Sequence, residues 1–304
     1  MSPVLAAVSL SPGSPIVQSR AAAVARAAGA PLQLVHVLRP FDGEKARRSA
    51  LARLHLAAAR LREETGLPVG VSLGRGSVAR AITARAAALR ARVIVMGAGR
   101  STGRVQRRVG VPVLAVRGGQ HASYRRVLVA AELSPHDEHA MAYVRRAFPE
   151  ARLAIVHVFQ WAIVRPLRSW FFDDELLSLY RSRAIAEAAA AARRFADRNG
   201  VADVALESRR ADVPAALRLH GGDFRAELLV LSPEKSWLKT ALGAGVTRRV
   251  LADPPCDVLL VPRIVQPGAQ RIPPRPANQA GAISLDWARQ PITGDVHATD
   301  AKDS

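Results

Sequence analysis

Short runs that are apolar at nearly every position alternate along the chain with alanine-rich helical stretches. Runs of the first kind predict strands covered on both faces. They fall at residues 3–9, 32–37, 68–73, 92–97 and 111–117, and again at 126–132, 152–158, 203–207, 226–232 and 256–262. Helices lie between them. Ser14 as N-cap and Pro15 at the first helical position open the first helix, and Gly29 ends it; the second runs from about Glu44 to Thr65 and stops at Gly66. Strands and helices alternating in this way build βα units and a parallel sheet.

The pattern occurs twice. Leu5-Ala6-Ala7-Val8-Ser9-Leu10-Ser11-Pro12 matches Leu128-Val129-Ala130-Ala131-Glu132-Leu133-Ser134-Pro135, and Leu34-Val35-His36-Val37 matches Ile155-Val156-His157-Val158. Near the end of each copy, Thr102-Gly103-Arg104-Val105 and Val113-Leu114-Ala115-Val116 match Thr247-Arg248-Arg249-Val250 and Val258-Leu259-Leu260-Val261. Matches kept in order predict two copies of one domain, residues 1–120 and 124–263. The expected architecture is α/β: two tandem Rossmann-like open parallel five-stranded sheets with helices on both faces. From Ile264 the chain turns rich in Pro, Gly, Gln, Ala and Asp and loses its apolar period, so residues 264–304 are expected to be a disordered tail.

Composition narrows the class. No apolar run approaches the roughly 20 residues of a membrane helix, and one cysteine, Cys256, rules out an internal disulfide, so a soluble cytoplasmic protein is expected. The formal charge is +19, of which residues 1–120 hold +15, and only four of the 44 basic residues are lysine. That charge invites a nucleic-acid reading, but it belongs to one half of the chain, comes with no base-reading motif, and its arginine excess fits the coding bias of a GC-rich genome, so nucleic acid is not the expected partner.

Chemistry is sparse. Gly97-Ala98-Gly99-Arg100-Ser101-Thr102-Gly103 follows the fourth strand of copy one and leads into a helix. Backbone N–H groups at such a place favour an anion such as phosphate, although any tight strand-to-helix turn uses the same residues. His36 and His157 recur before a valine with no carboxylate or nucleophile at a useful spacing, and are read as structural. Asp173-Asp174-Glu175 reads as the acidic first turn of a helix, and His220-Gly221-Gly222-Asp223 as the end of another. Cys256 reads as a buried apolar filler.

Taken in order, the strand followed by Leu-Ser-Pro, the Val-His-Val strand, Val93-Ile94-Val95-Met96-Gly97-Ala98, Thr-x-Arg-Val and the closing Pro-Val-Leu-Ala-Val resemble the universal stress protein family in tandem form, over residues 3–263. The resemblance implies pairing of the two domains through their fifth strands. It also implies, in many members, ATP held by an Asp at the first strand end and by a loop of pattern G-x-x-G, nine residues, then G-[S/T]. Both copies depart from this. Ser9 and Glu132 stand at the Asp position; copy one keeps Gly97, Gly99, Ser101 and Thr102 but lacks the spacer, whereas copy two keeps the spacer with Ser232 and Lys235 at the first two glycine positions.

A ligand is therefore expected in copy two, with Glu132, Lys235, Gly243, Gly245, Thr247 and Arg248 around it, ATP being the possible cofactor. An aromatic insertion carrying Trp161, Trp170, Phe171 and Phe172, with Trp237 on the next loop, is expected to cover it or to anchor a protein partner. The bland reading of that insertion is a local mini-core under a long loop. The function implied is a non-catalytic stress-response or regulatory protein, with two alternatives: an interaction or dimerisation module with decayed nucleotide sites, and an ATP-hydrolysing enzyme, which would need a base, a metal-binding carboxylate pair or a Walker loop that the sequence does not display.

Overall fold

Ten strands form one sheet in a computed structural model that describes residues 2–118, 124–159, 174–208, 212–232 and 243–262, all within the unit Met1–Ile264. Copy one contributes β1 (Val4–Ala7), α1 (Ser14–Ala27), β2 (Leu32–Leu38), α2 (Glu44–Thr65), β3 (Val69–Arg75), α3 (Val78–Ala88), β4 (Val93–Gly97), α4 (Arg100–Gln106) and β5 (Val113–Val116). Copy two contributes β6 (Arg126–Ala130), α5 (Pro135–Ala147), β7 (Arg152–Phe159), α6 (Asp174–Arg198), β8 (Asp203–Ser208), α7 (Val213–Asp223), β9 (Leu228–Leu231), α8 (Gly243–Ala252) and β10 (Asp257–Leu260).

The strand order is β3-β2-β1-β4-β5-β10-β9-β6-β7-β8, so each copy is the same five-stranded parallel sheet and the two meet at their fifth strands. β5 and β10 pair antiparallel, with Ala115 opposite Val258, Leu114 opposite Leu259 and Val113 opposite Leu260. Both strands are buried throughout. The pairing removes two apolar edges that would otherwise template association. Because every other pairing is parallel, the carboxyl ends of the strands in copy one point away from those in copy two, and the molecule has two separate rims.

Helices cover both faces. Val17, Ala21, Leu54, Ala58, Met141, Val144 and Phe195 pack in one core, which places α1, α2, α5 and α6 on one face. Ile82, Ala86, Val105, Leu217, Val250 and Leu251 pack in the other, beneath α3, α4, α7 and α8. A side chain such as Leu54 or Leu217, fully buried, contributes about 1.5–3 kcal/mol.

Local signals place most boundaries within two residues. α2 ends where Gly66 takes a left-handed conformation at φ 69°, as its glycine predicts. At α1 the expectation shifts by one: Gly13 is the N-cap, Ser14 the first helical residue and Pro15 the second. The Ser14 side chain is drawn inward, 4 % exposed, and no side chain closes the helix end. The expected tail lies outside the described residues, as do Lys235, Trp237 and the aromatic insertion expected over residues 159–172, except for Phe159, which ends β7.

Candidate functional site

Each rim begins at the end of a copy's first strand. After β6 the chain continues through Ala131, whose N–H donates to Val156, to Glu132 and then to Leu133 at φ 62°. After β1 it does the same: Val8 N–H donates to Val35, and Leu10 stands at φ 58°. A left-handed leucine is strained, and the same strain at matching positions marks a turn that both copies require to swing the chain from strand into helix. The twin histidines brace that turn. The His36 Nδ1 lies 2.8 Å from the Val8 carbonyl, and the His157 Nδ1 lies 2.7 Å from that of Ala131.

What fills the turn differs. In copy two the Asp137 carboxylate, 2 % exposed, accepts the N–H groups of Glu132 and Ser134 at 3.0 Å and the Ser134 hydroxyl at 2.9 Å. With Ser134 it forms the capping box of α5. Burial holds its carboxyl above the usual aspartate range, against the opposing pull of these hydrogen bonds. Glu132 sits half-buried beside it. In copy one, Ser14 stands where Asp137 does. Its hydroxyl lies 3.3 Å from that of Ser9, which lies 2.7 Å from that of Ser11. Three hydroxyls replace two carboxylates. Asp137 was not singled out from the sequence, although the Ser134-Pro135-His136-Asp137 spacing of a capping box displays it.

The fourth-strand loops differ as well. In copy one, Ala98 and Gly99 alone connect β4 to α4, and the Ala98 N–H is already given to Val116 at 2.7 Å. Thr102 is fully buried and donates its hydroxyl to the Gly97 carbonyl at 3.0 Å. Ser101 is half-buried; no atom lies within 4 Å of where a Cβ would stand on Gly97 or Gly99. The turn closes on itself. In copy two, Ser232 follows β9, residues 233–242 are outside the described set, and α8 opens with Gly243 and Gly245. Thr247, the counterpart of Thr102, is only half-buried, Arg248 is exposed, and Arg249 pairs with Asp212 at 3.0 Å, tying α8 to the start of α7. Thus Glu132, Gly243, Gly245, Thr247 and Arg248 belong to the rim of copy two, while Gly97, Gly99, Ser101 and Thr102 belong to the opposite rim.

The remaining candidates are structural. His220, in the last turn of α7, lies 3.0 Å from Glu207 of β8. Cys256 precedes β10 and is half-buried, and burial raises its thiol to about 12. Among the described residues no group of three metal-binding side chains gathers, and no helix is long and apolar enough to cross a membrane.

A doubly wound parallel sheet repeated in tandem, joined at its fifth strands and open at two rims, defines a class of two-domain Rossmann-like proteins. The chain belongs to the universal stress protein family, whose sequence profile matches residues 1–117 and 123–262. It is similar in fold to a universal stress protein from Pseudomonas aeruginosa UCBPP-PA14 (17 % identity, 86 % of this chain and 93 % of that one, TM-score 0.63). A universal stress protein from Archaeoglobus fulgidus DSM 4304 also matches (16 % identity, 86 % and 96 %, TM-score 0.60). A shorter one from Archaeoglobus fulgidus, solved in complex with dAMP, matches over 37 % of this chain and 96 % of its own at 26 % identity and TM-score 0.34. No curated protein matches the chain.

Proposed function

We propose that the protein is a non-catalytic stress-response regulator in which copy two senses an adenine nucleotide, with ATP as the first candidate, and copy one serves as its structural partner. The observation that carries this reading is the rim of copy two, where Glu132 and the buried Asp137 stand at the end of β6, against the hydroxyl trio Ser9, Ser11 and Ser14 in copy one. A carboxylate at the first strand end suits ribose hydroxyls, and backbone N–H groups at the start of α8 suit phosphate. Gly243, Gly245, Thr247 and Arg248 supply the second set, with Lys235 as a point charge on the preceding loop. Three donors converge on Oδ2 of Asp137 and hold its carboxylate in the turn, which supports a positioning role and binding over hydrolysis.

A second reading rests on one residue. Phe41, in the loop after β2, is 97 % exposed at the rim of copy one, which suits an anchor for a protein partner and an interaction module in which no nucleotide is needed. Native mass spectrometry of the freshly purified full chain separates the two: a co-purifying nucleotide supports the sensor, and a bare chain that also gives no heat with ATP in calorimetry supports the module.

A further inference from the structure

The fold redistributes the charge. Along the sequence the basic excess belongs to one half of the chain; in three dimensions its least compensated part lies on one face. The helices α3, α4, α7 and α8, 39 residues together, contain seven arginines and a single carboxylate, Asp223, whereas the helices on the other face, 74 residues together, contain fifteen basic residues and nine carboxylates, so the same net excess of six is spread there over nearly twice the length. There, ion pairs such as Arg47–Glu44, Arg183–Glu187 and Arg198–Glu138 break up the field. On the α3–α4–α7–α8 face, Arg249 alone of the seven forms an ion pair among the described residues, with Asp212. α4 packs on α8 across the junction of the copies, so the layer extends over both copies. Arg80, Arg104 and Arg218 of these helices are exposed, as are Arg107 and Arg108 in the turn that follows α4, and the Nε of Arg85 has no hydrogen-bond partner among the described residues.

We propose that this helix layer is a sequence-independent docking surface for the phosphate backbone of double-stranded nucleic acid. Arginine presents a planar fork that matches phosphate oxygens in pairs, and an array of them gains by releasing the counterions condensed on a duplex. Contacts of that kind position a protein without reading bases, which agrees with the lack of a base-reading motif in the sequence. The four helices contain no Phe, Tyr or Trp. The helices themselves therefore supply no stacking platform for single strands and no aromatic anchor for a protein partner. Its exposed large apolar side chains among the described residues are Val78 and Leu219, too few to insert into a lipid surface. The inference stands apart from whether copy two binds a nucleotide.

The test is fluorescence anisotropy of a labelled duplex of about 20 base pairs and arbitrary sequence, titrated with the full chain between about 50 and 200 mM salt. Binding should be indifferent to sequence, with log K falling against log salt at a slope of about −4 or steeper, the mark of some five phosphate contacts. Arg80→Glu, Arg107→Glu and Arg108→Glu together should weaken binding at least about 30-fold and flatten the slope by about 2 to 3; the same positions changed to Gln should do so in the same direction. The control set Arg26→Glu, Arg193→Glu and Arg194→Glu alters net charge equally on the opposite face and should change affinity far less. Equal loss from both sets, a slope shallower than about −2, or displacement of the duplex by polyglutamate or by phosphatidylglycerol vesicles at matched charge would each overturn the proposal.

Discussion

Arg20, in α1 of copy one, donates from Nε to Oδ2 of Asp257 in β10 of copy two at 2.9 Å, across 237 positions of sequence. The two side chains are 5 % and 2 % exposed. The same oxygen accepts the Tyr124 hydroxyl at 2.7 Å, and the other carboxylate oxygen accepts the Arg117 N–H at 2.8 Å. The Arg20 guanidinium lies 5.5 Å from the Tyr124 ring centre, and that ring meets Phe148 edge-on at 5.3 Å. Burial, with the Asp257 charge beside it, pushes the Tyr124 hydroxyl well above the usual tyrosine range, so it remains a donor. A strand end, a helix and the start of copy two are thereby fixed to one carboxylate.

Asp257→Ala removes the carboxylate that pairs with the buried Arg20 guanidinium and should destabilise the chain by about 3–5 kcal/mol. Replacing both partners, as Arg20→Met with Asp257→Leu, should recover much of that loss because neither charge is then stranded. Urea denaturation of the three proteins checks this; a double variant no better than Asp257→Ala would show that the carboxylate's other two donors dominate.

Expressed separately, residues 1–118 and 124–262 each expose the edge that β5 and β10 cover in one another. Each half should self-associate, and a mixture should form a one-to-one complex in sedimentation velocity. Two halves that stay monomeric alone and when mixed would contradict the weight placed on this junction.

If copy two holds the nucleotide, Glu132→Ala and Gly245→Asp should each weaken ATP binding about tenfold or more, by removing a carboxylate that accepts hydrogen bonds and by placing a negative charge against phosphate. Gly99→Asp, on the opposite rim, should leave binding unchanged. Calorimetry on the full chain measures all three, and an effect of Gly99→Asp equal to that of Gly245→Asp would move the site to copy one.

Asp137 gives a pH dependence with a definite sign. Its carboxyl is raised in the folded chain, so the fold binds this proton more tightly than the unfolded chain does, and stability declines as pH rises through the raised value. Asp137→Asn removes that dependence. The stability of the natural protein relative to the variant should therefore improve as pH falls from neutrality toward the ordinary aspartate range, measured by denaturant melts at several pH values; the reverse slope would mean the hydrogen bonds outweigh burial.

Cys256, with its thiol raised to about 12, holds a negligible thiolate fraction near neutrality. Alkylation by iodoacetamide at pH 8 should be slow in the native protein and at least about tenfold faster in denaturant. Equal rates would show that the strand start opens freely.

The features legible in the sequence are those written within a few residues. Pro15, Gly66 and the unbroken apolar run from Val93 to Met96 announce helix, stop and strand by local sterics and burial, and the repeat exposes the two copies. Relations written across the fold are not legible. Asp257 stands inside a predicted buried strand with nothing nearby to reveal that Arg20 would neutralise it. Leucine seldom adopts positive φ, so Leu10 and Leu133 gave no sign of their turn. The site was half legible: Glu132 follows from the repeat, but Asp137 becomes part of the rim only when the left-handed turn folds α5 back against the end of β6.

The covalent joining of the two copies frees them from a constraint that binds every symmetric dimer. When two identical subunits assemble about a two-fold axis, one gene sets both rims, and a substitution at either appears at both. Here position 14 and its counterpart 137 are encoded separately, as are Ser9 and Glu132, so one rim can lose its carboxylates while the other keeps them. The junction of Leu114 with Leu259 does not dissolve on dilution, either, since each β5 finds its β10 at a local concentration fixed by the connecting chain. One half is thus at liberty to become scaffold for the other.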